Sequence, residues 1–381
     1  MKEGMLSYYC KVIAGQSPIG NSYNSESNGM EFHQGKKSFG ATFLRPSGIW
    51  TTMPTKIAEK GDILMSVRAP VGPTNLTDRQ VCIGRGLAAI RCNDNALSEY
   101  ILYALKNIES KITGNNGAVF NSINKKMIEE LPVPIATIDE QQRIVSHLDS
   151  SFAKIDALKT NAGKMLDEAK ALFASALREA MKPKEGWEEK RLGEVCSSIT
   201  DGDHQPPPKV EKGIPFITIS NVDKELRCVD FSKTYYVPKE YFDNVREERK
   251  PKKNDILYTV TGSFGIPIIC NYDQEFVFQR HIALLRPINK IIESAYMYYW
   301  LLSPMMQKEA DNVATGAAQR TVSLSSLRKF IVLFPTKEEQ TRIVAHLDNL
   351  SAKVRQLEAN FKKVSEECDA LKQAILRETF E

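Results

Sequence analysis

Long apolar runs are missing from this chain. None approaches the ~20 residues of a membrane span, and the start, MKEGMLSYYC, lacks the apolar stretch of a signal peptide. A cytoplasmic protein is therefore the expectation. Cysteine is sparse and unpatterned. The seven (Cys10, Cys82, Cys92, Cys196, Cys228, Cys270, Cys368) are odd in number and none forms a C-x-x-C pair, so neither a zinc site nor a disulfide framework is indicated. Charge of one sign is lacking too. A net charge of +4 permits nucleic acid as a partner without requiring it. The densest basic stretch, Arg246, Arg249, Lys250, Lys252 and Lys253, is interrupted by Glu247, Glu248 and Pro251 and reads as a solvated loop before a strand.

Reaction motifs are absent as well. There is no G-x-x-x-x-G-K-[ST] loop, no H-E-x-x-H and no nucleophile elbow. The glycines of IGRGLAA, from Ile83, do not follow a strand in dinucleotide-binding register. DGDHQPPP (Asp201–Pro208) gathers two carboxylates and a histidine, but three prolines make it a rigid loop rather than a metal site. No catalytic residue, metal or cofactor is expected.

What is present is a duplication. EQQRIVSHLDSSFAKIDALKTN, from Glu140, returns about 200 residues later as EQTRIVAHLDNLSAKVRQLEAN from Glu339, and the match runs on to LRE at Leu177 and Leu376. Ile144, Ser151, Leu158, Met165 and Leu172 fall seven apart, with Leu148, Ile155, Ala162, Ala169 and Ala176 offset by four. The second copy gives Ile343, Leu350, Leu357, Val364 and Leu371, with Leu347, Val354, Phe361, Cys368 and Ile375. This is the a/d pattern of a coiled-coil seam, and it predicts two long helices packed on each other. Arg143 with His147, and Arg342 with His346, share a helix face. Without metal-ligand spacing they read as a helix-start cluster, in which Asp139 or Glu140 sits at the positive end of the dipole.

The segments before these helices are related more distantly. LSYYCKVIAG from Leu6 resembles LGEVCSSITDG from Leu192, GDILMSVRAPVG from Gly61 matches NDILYTVTGSFG from Asn254, and IGRGLAAIRC from Ile83 matches FQRHIALLRP from Phe278. GAVFNSINKKMIEELPVP from Gly117 and GAAQRTVSLSSLRKFIVLFP from Gly316 close the two segments. Short β-branched runs such as PFITIS (Pro215–Ser220) and DILYTV (Asp255–Val260) read as strands, and Ser98–Lys111 and Ser294–Glu309 as helices. MKPKEGW (Met181–Trp187) reads as a linker. The fold class expected is α+β: two similar domains joined by two long antiparallel coiled-coil helices in a pseudo-twofold repeat. The boundaries expected are 1–138 and 183–338 for the domains, 139–182 and 339–381 for the helices.

LP-x-P…EQQRIVSHLD, its second copy FPTKEEQTRIVAHLD, the GW-x-x-x-RLGEV opening of the second half and its ITDGDHQPPP together resemble the specificity subunit of type I restriction-modification systems, over essentially the whole chain. The first half departs from that pattern. It starts near Leu6 with no equivalent of Gly186–Trp187, so a short opening strand or a misplaced start codon is expected. The resemblance implies two target-recognition domains, each reading one half of a split double-stranded DNA site. It implies docking of two modification subunits, which carry S-adenosylmethionine and methylate adenine N6, through the two helices. Two restriction subunits with translocase and nuclease activity would complete the complex. On this basis the chain itself catalyses nothing and binds no cofactor.

Base readout needs polar side chains presented on loops. The candidates are Gln279, Arg280, His281, Gln319, Arg320 and Thr321 in the second half, and Arg68, Arg85, Asn121, Ser122 and Lys125 in the first. Arg85 matches Arg280, and a residue shared by domains with different targets suits phosphate or fold; divergent positions such as Asn121 against Arg320 suit specificity. The competing expectation is a non-catalytic coiled-coil scaffold displaying two protein-binding domains.

Overall fold

Apolar residues alternate or run together in the β-branched segments, and these segments fold into the same sheet twice. In the computed structural model, which describes residues 3–112, 122–316 and 319–381, the first sheet has the order Cys10–Ala14, Leu87–Cys92, Ile63–Ser66, Thr74–Leu76. The second has the order Cys196–Asp201, Ile282–Pro287, Ile256–Thr259, Pro267–Ile269. All neighbours in both sheets are antiparallel. Each half also holds a short parallel pair, Met30–His33 with Val81–Ile83 and Ile214–Ile217 with Val277–Phe278. The opening strand of the first half is short, Glu3–Met5 on Pro132–Pro134; its counterpart is Glu188–Arg191 on Ile331–Phe334.

The halves share buried polar pairs. Arg91 grips Asp62 at 2.8 Å, and Arg286 grips Asp255 at 2.8 Å. In both pairs the carboxylate also caps a turn, at the Glu59 amide or the Lys252 amide. Hydrogen bonding to a bidentate guanidinium offsets the cost of burying each carboxylate.

The chain forms two compact units, residues 1–163 with 360–381, and residues 164–359. The long helices, Ile138–Ala180 and Lys337–Phe380, span 43 and 44 residues. Each unit's core takes in the start of one helix and the end of the other. In the first unit Val145 and Leu148 pack with Leu376 and Phe380 around Tyr100 and Ile101; in the second, Ile343 and Leu347 pack with Leu177 and Met181 around Tyr296 and Trp300. Burying such a side chain contributes about 1.5–3 kcal/mol. Within each unit the helices run antiparallel. Lys159 pairs with Asp369 at 3.1 Å and Lys372 with Asp156 at 2.5 Å in the first unit, and Lys170 with Glu358 at 2.8 Å in the second.

Three expectations need correcting. The series Leu148, Ile155, Ala162, Ala169, Ala176 is shielded, but Leu158, Met165 and Leu172 are 60%, 59% and 60% exposed. The inner face is held instead one residue along, by Val145, Phe152, Leu166 and Phe173, which follow Ile144, Ser151, Met165 and Leu172, while Leu158 is followed by Lys159. Two adjacent apolar stripes share one period, and the stripe with the larger aromatic residues turned inward. Second, the helix expected over Ser294–Glu309 is two helices, Ser294–Leu302 and Pro304–Val313. Pro304 cannot donate to the preceding turn, and Ser303 caps the new helix through the Met306 amide. Third, the basic stretch is not wholly solvated: Arg249 is three-quarters covered and lies 3.4 Å from Asp201.

Among the described residues, no helix is long and apolar enough to cross a membrane.

Candidate nucleic-acid interface

Backbone hydrogen bonds converge the candidate residues of the second half on one rim. Gly202 passes so close to the Phe278 carbonyl that a Cβ would overlap it, which only glycine permits. Past that crossing, Gln279 donates its amide to Ile217 O at 2.9 Å, Arg280 its amide to Asp203 O at 3.1 Å, and Val260 its amide to His281 O at 2.9 Å. The closing segment joins through Val322 N to Val260 O at 2.8 Å and Gly262 N to Arg320 O at 3.0 Å. Arg280, His281, Gln319 and Thr321 thereby surround a cleft of about 280 Å³ with Asp201, His204 and Thr261.

The charges there are arranged unequally. His204 is 2.8 Å from Asp201, while Tyr241 donates to Asp203 at 2.6 Å. Arg249 reaches both carboxylates from behind, at 3.4 and 3.9 Å. Partial burial, then the neighbouring Arg280 guanidinium, pushes His281 below its ordinary value, so its ring is neutral at pH 7. Arg280 is exposed, and among the described residues no carboxylate lies within 4.0 Å of it. Arg320 is tethered instead: it lies 3.3 Å from Asp311 and over the Phe264 ring at 5.2 Å. Gln279 and Thr321 are half-buried; Gln319 is exposed.

The first half repeats the frame with other side chains. Gly15 makes a comparable close approach, to the Gly84 carbonyl, one residue past the position that matches Phe278. Val67 N donates to Gly86 O at 3.0 Å, and Ile123 N to Val67 O at 3.1 Å, in the places of Val260–His281 and Val322–Val260. Arg68 and Ser122 are bridge partners, as are Thr261 and Thr321. Arg68, Arg85 and Ser122 are exposed. Lys125 stands on the short helix Lys125–Glu129 and pairs with Glu129 at 3.5 Å. Asn121 lies outside the described residues.

The duplicated helix starts behave differently. Arg143 donates to the Asp139 carbonyl at 3.3 Å, and Arg342 and His346 line a shallow groove with Glu179, Lys184 and Glu339. Among the described residues no His, Cys, Asp or Glu cluster could hold a metal ion. The residues that sequence reasoning passed over are Gln141 and Gln340, both fully buried. Gln141 accepts from Leu97 N at 2.8 Å and donates to Asn95 O and Ala136 O at 2.9 and 3.1 Å. Gln340 accepts from Glu293 N at 2.9 Å and donates to Ile291 O and Pro335 O at 3.2 and 3.0 Å. Tyr103 bonds Asp149 at 2.5 Å, and Tyr299 bonds Asp348 at 2.6 Å. The Gln and Asp of each EQ-x-R-I-V-x-H-L-D repeat therefore bolt a helix to its domain. Their recurrence in both copies was the only signal.

The family model for the type I restriction modification DNA specificity domain matches residues 31–164 and 184–364. A Methanocaldococcus jannaschii protein provisionally named the MjaX type I restriction enzyme specificity subunit is 39% identical over 171 residues, covering 44% of this chain and 40% of that protein. The EcoBI specificity subunit of Escherichia coli is 25% identical over 314 residues, covering 75% of this chain and 66% of that protein. The chain thus spans from 40% to 66% of the length of these curated relatives. Among solved structures, one described as showing complex assembly and conformational transition of the type I R-M system aligns with a TM-score of 0.76 at 19% identity, over 100% of this chain and 97% of that one. The HsdS subunit of Thermoanaerobacter tengcongensis aligns at 0.58 and 20% identity, over 100% and 96%. At these identities the structural matches establish the fold.

Proposed function

The chain belongs to the type I restriction-modification DNA specificity family, and from that premise we propose that it is the subunit that reads a bipartite double-stranded DNA site. Residues 1–138 and 183–338 act as target-recognition domains, one per half-site. Residues 139–182 and 339–381 act as an antiparallel coiled-coil spacer, the two domains being related by a pseudo-twofold axis that suits the approximate dyad of a duplex. Two modification subunits dock on the spacer, and two restriction subunits complete the complex. The chain performs no reaction of its own; it supplies address and geometry.

One observation carries this reading. Both halves hold the same hydrogen-bonded rim, Val67–Gly86 with Ile123–Val67 and Val260–His281 with Val322–Val260, yet present different side chains on it. That is how one frame reads two sequences. Arg85 and Arg280, at matching positions, suit phosphate; Arg68, Ser122, Lys125 and Asn121 in one half, and Gln279, His281, Gln319, Arg320 and Thr321 in the other, suit base edges.

The test is co-expression with an active modification subunit, followed by genome-wide mapping of N6-methyladenine. The expected result is a new motif of two short blocks around a fixed unspecified gap. No new methylation, despite a stable complex, would point to a protein-binding scaffold. Inserting four residues into each spacer helix adds ~6 Å, roughly two base pairs at ~3.4 Å each, and should lengthen the gap accordingly.

A further inference from the structure

Cys10 and Cys92 stand directly opposite each other on the paired strands Cys10–Ala14 and Leu87–Cys92, with Sγ atoms 3.4 Å apart. The ladder places them at a non-hydrogen-bonded position, because the flanking bond runs from Asn93 N to Tyr9 O at 2.8 Å and the same two-residue alternation is kept, three repeats along, by Gly15 N to Leu87 O at 2.9 Å. At such positions opposed Cα atoms are ~4.5 Å apart and the side chains are closest, inside the ~4.4–6.8 Å span that a disulfide bridges. The two sulfurs are not equally accessible: Cys10 is buried and Cys92 is half-buried.

We propose that Cys10 and Cys92 are a peroxide-reactive thiol pair, with Cys92 attacked first and Cys10 resolving it as a cross-strand disulfide within the first recognition domain. In the first step the Cys92 thiolate attacks one oxygen of hydrogen peroxide, the O–O bond breaks to expel hydroxide, and one proton completes a molecule of water. This leaves a sulfenic acid on Cys92. In the second step the Cys10 sulfur attacks the Cys92 sulfur, the S–O bond breaks, and the Cys10 proton leaves with the hydroxyl as a second water. Each sulfur gives up one electron, and the peroxide takes both. The hydrogen bond from Cys10 holds the Cys92 thiol below its ordinary value against the opposing effect of burial, with Ser98 helping. Such pairs in reducing compartments are transient and redox-sensing rather than structural.

The duplication supplies an internal control. Cys196 occupies the place of Cys10 in the second half, but its strand partner is Pro287 and its sulfur lies 3.9 Å from Met297 Sδ. Oxidation therefore acts on one domain alone, tying the strand Cys10–Ala14 to the strand that leads into Ser98–Ile112.

The experiment uses the full native chain. It is exposed to stoichiometric hydrogen peroxide, quenched with N-ethylmaleimide and digested with trypsin without reductant. The expected product is a cross-link between peptides 3–11 and 92–106 that disappears on reduction. In Cys10→Ser, Cys92 should instead accumulate as a sulfenic acid trapped by dimedone, and in Cys92→Ala, Cys10 should stay unreacted. Cys92 oxidised to sulfinic acid while Cys10 remains a free thiol would overturn the proposal. So would cross-links spread evenly over the other cysteines, as unfolding produces. If a variant fails to fold, the peptide map of the unaltered chain decides between these outcomes by itself.

Discussion

At the feet of the two long helices the copies agree almost atom for atom, and at the rims of the two sheets they agree only in the backbone. Gln141 and Gln340 make the same three hydrogen bonds to equivalent groups, and Tyr103 and Tyr299 bond equivalent aspartates. At the rims, Arg68 and Ser122 replace Thr261 and Thr321 on an unchanged ladder. A buried side chain that serves as donor and acceptor at once has no freedom to vary. A rim held by main-chain hydrogen bonds leaves its side chains open to change. The strongest repeat in the sequence therefore marks fastening, and the weaker one marks choice.

The equivalence of the feet breaks most visibly if either glutamine is removed. Gln141→Ala and Gln340→Ala each leave one amide and two carbonyls, most of them at least half-buried, without their side-chain partner, which costs about 2–4 kcal/mol in all. Urea unfolding should show a loss of similar size in both variants. A large loss in one and none in the other would mean that the two fastenings are not equivalent.

At the rims the effect should fall on recognition and leave stability nearly alone. Arg320→Ala and Gln319→Ala are expected to relax one half of the methylated motif, and Arg68→Ala the other half, each by about 1–3 kcal/mol of discrimination. Surface changes of this kind usually shift stability by less than about 0.5 kcal/mol. Arg320 carries the added requirement of leaving Asp311 to reach a base. A methylated motif unchanged in all three variants would remove these residues from the reading surface.

The duplication, the strands and the rim segments were legible because apolar periodicity and repeated phrases report backbone pairing directly. NDILYTVTGSFG matched GDILMSVRAPVG, and Thr261 and Arg68 do hold the same bridge position. The glutamines were not legible, since two of the three main-chain partners of each lie more than 40 residues away and a polar residue on a helix resembles a solvated one. The inward stripe was misplaced for a related reason: Leu158 and Phe152 lie on neighbouring stripes of the same period, and only packing decides between them. Arg249 passed as one charge among several because Asp201 and Asp203 approach it from a distant loop.

A smaller difference should appear in acid. The first unit carries Glu31 and His33 on the strand whose counterpart in the second carries Pro215 and Ile217. Burial lowers His33 from its usual 6.5, opposed by Glu31 and reinforced by Arg79. Burial alone would raise Glu31, yet Arg79, the Ser47 amide and His33 hold it below 4.5. Both folded values are depressed, so the unfolded chain binds the extra protons. Stability present above those usual values is lost as pH falls, first from His33 below 6.5 and then from Glu31 below 4.5. Hydrogen exchange followed from pH 7 to 4 should show faster opening around residues 30–33 than around 214–217. His33→Gln should remove the earlier step only.

The smallest effect sharpens the comparison where it began, at the helix feet. Both helices open with the spelling T-x-x-E, and both threonines precede the first helical residue. Thr137 forms the full reciprocal box: its amide and hydroxyl donate to Glu140 at 2.8 and 2.9 Å, and the Glu140 amide donates back at 3.4 Å. Those bonds hold the Glu140 carboxyl below its usual range. At the second helix the Glu339 amide donates to the Thr336 hydroxyl at 3.4 Å, but it is the Glu338 carboxyl that its own amide and Thr336 lower. Thr137→Ala should therefore cost about 1 kcal/mol and Thr336→Ala a few tenths less. Thermal melts at pH 7 and pH 3 read the carboxylate's share at both sites, because Glu140 and Glu338 are both depressed and such a group gives its stabilisation only above its unfolded value. Acid should shrink the penalty of Thr137→Ala as Glu140 is protonated. Equal penalties at both sites and both pH values would mean that the threonine hydroxyls alone cap these helices and that the reciprocal half of the box adds nothing.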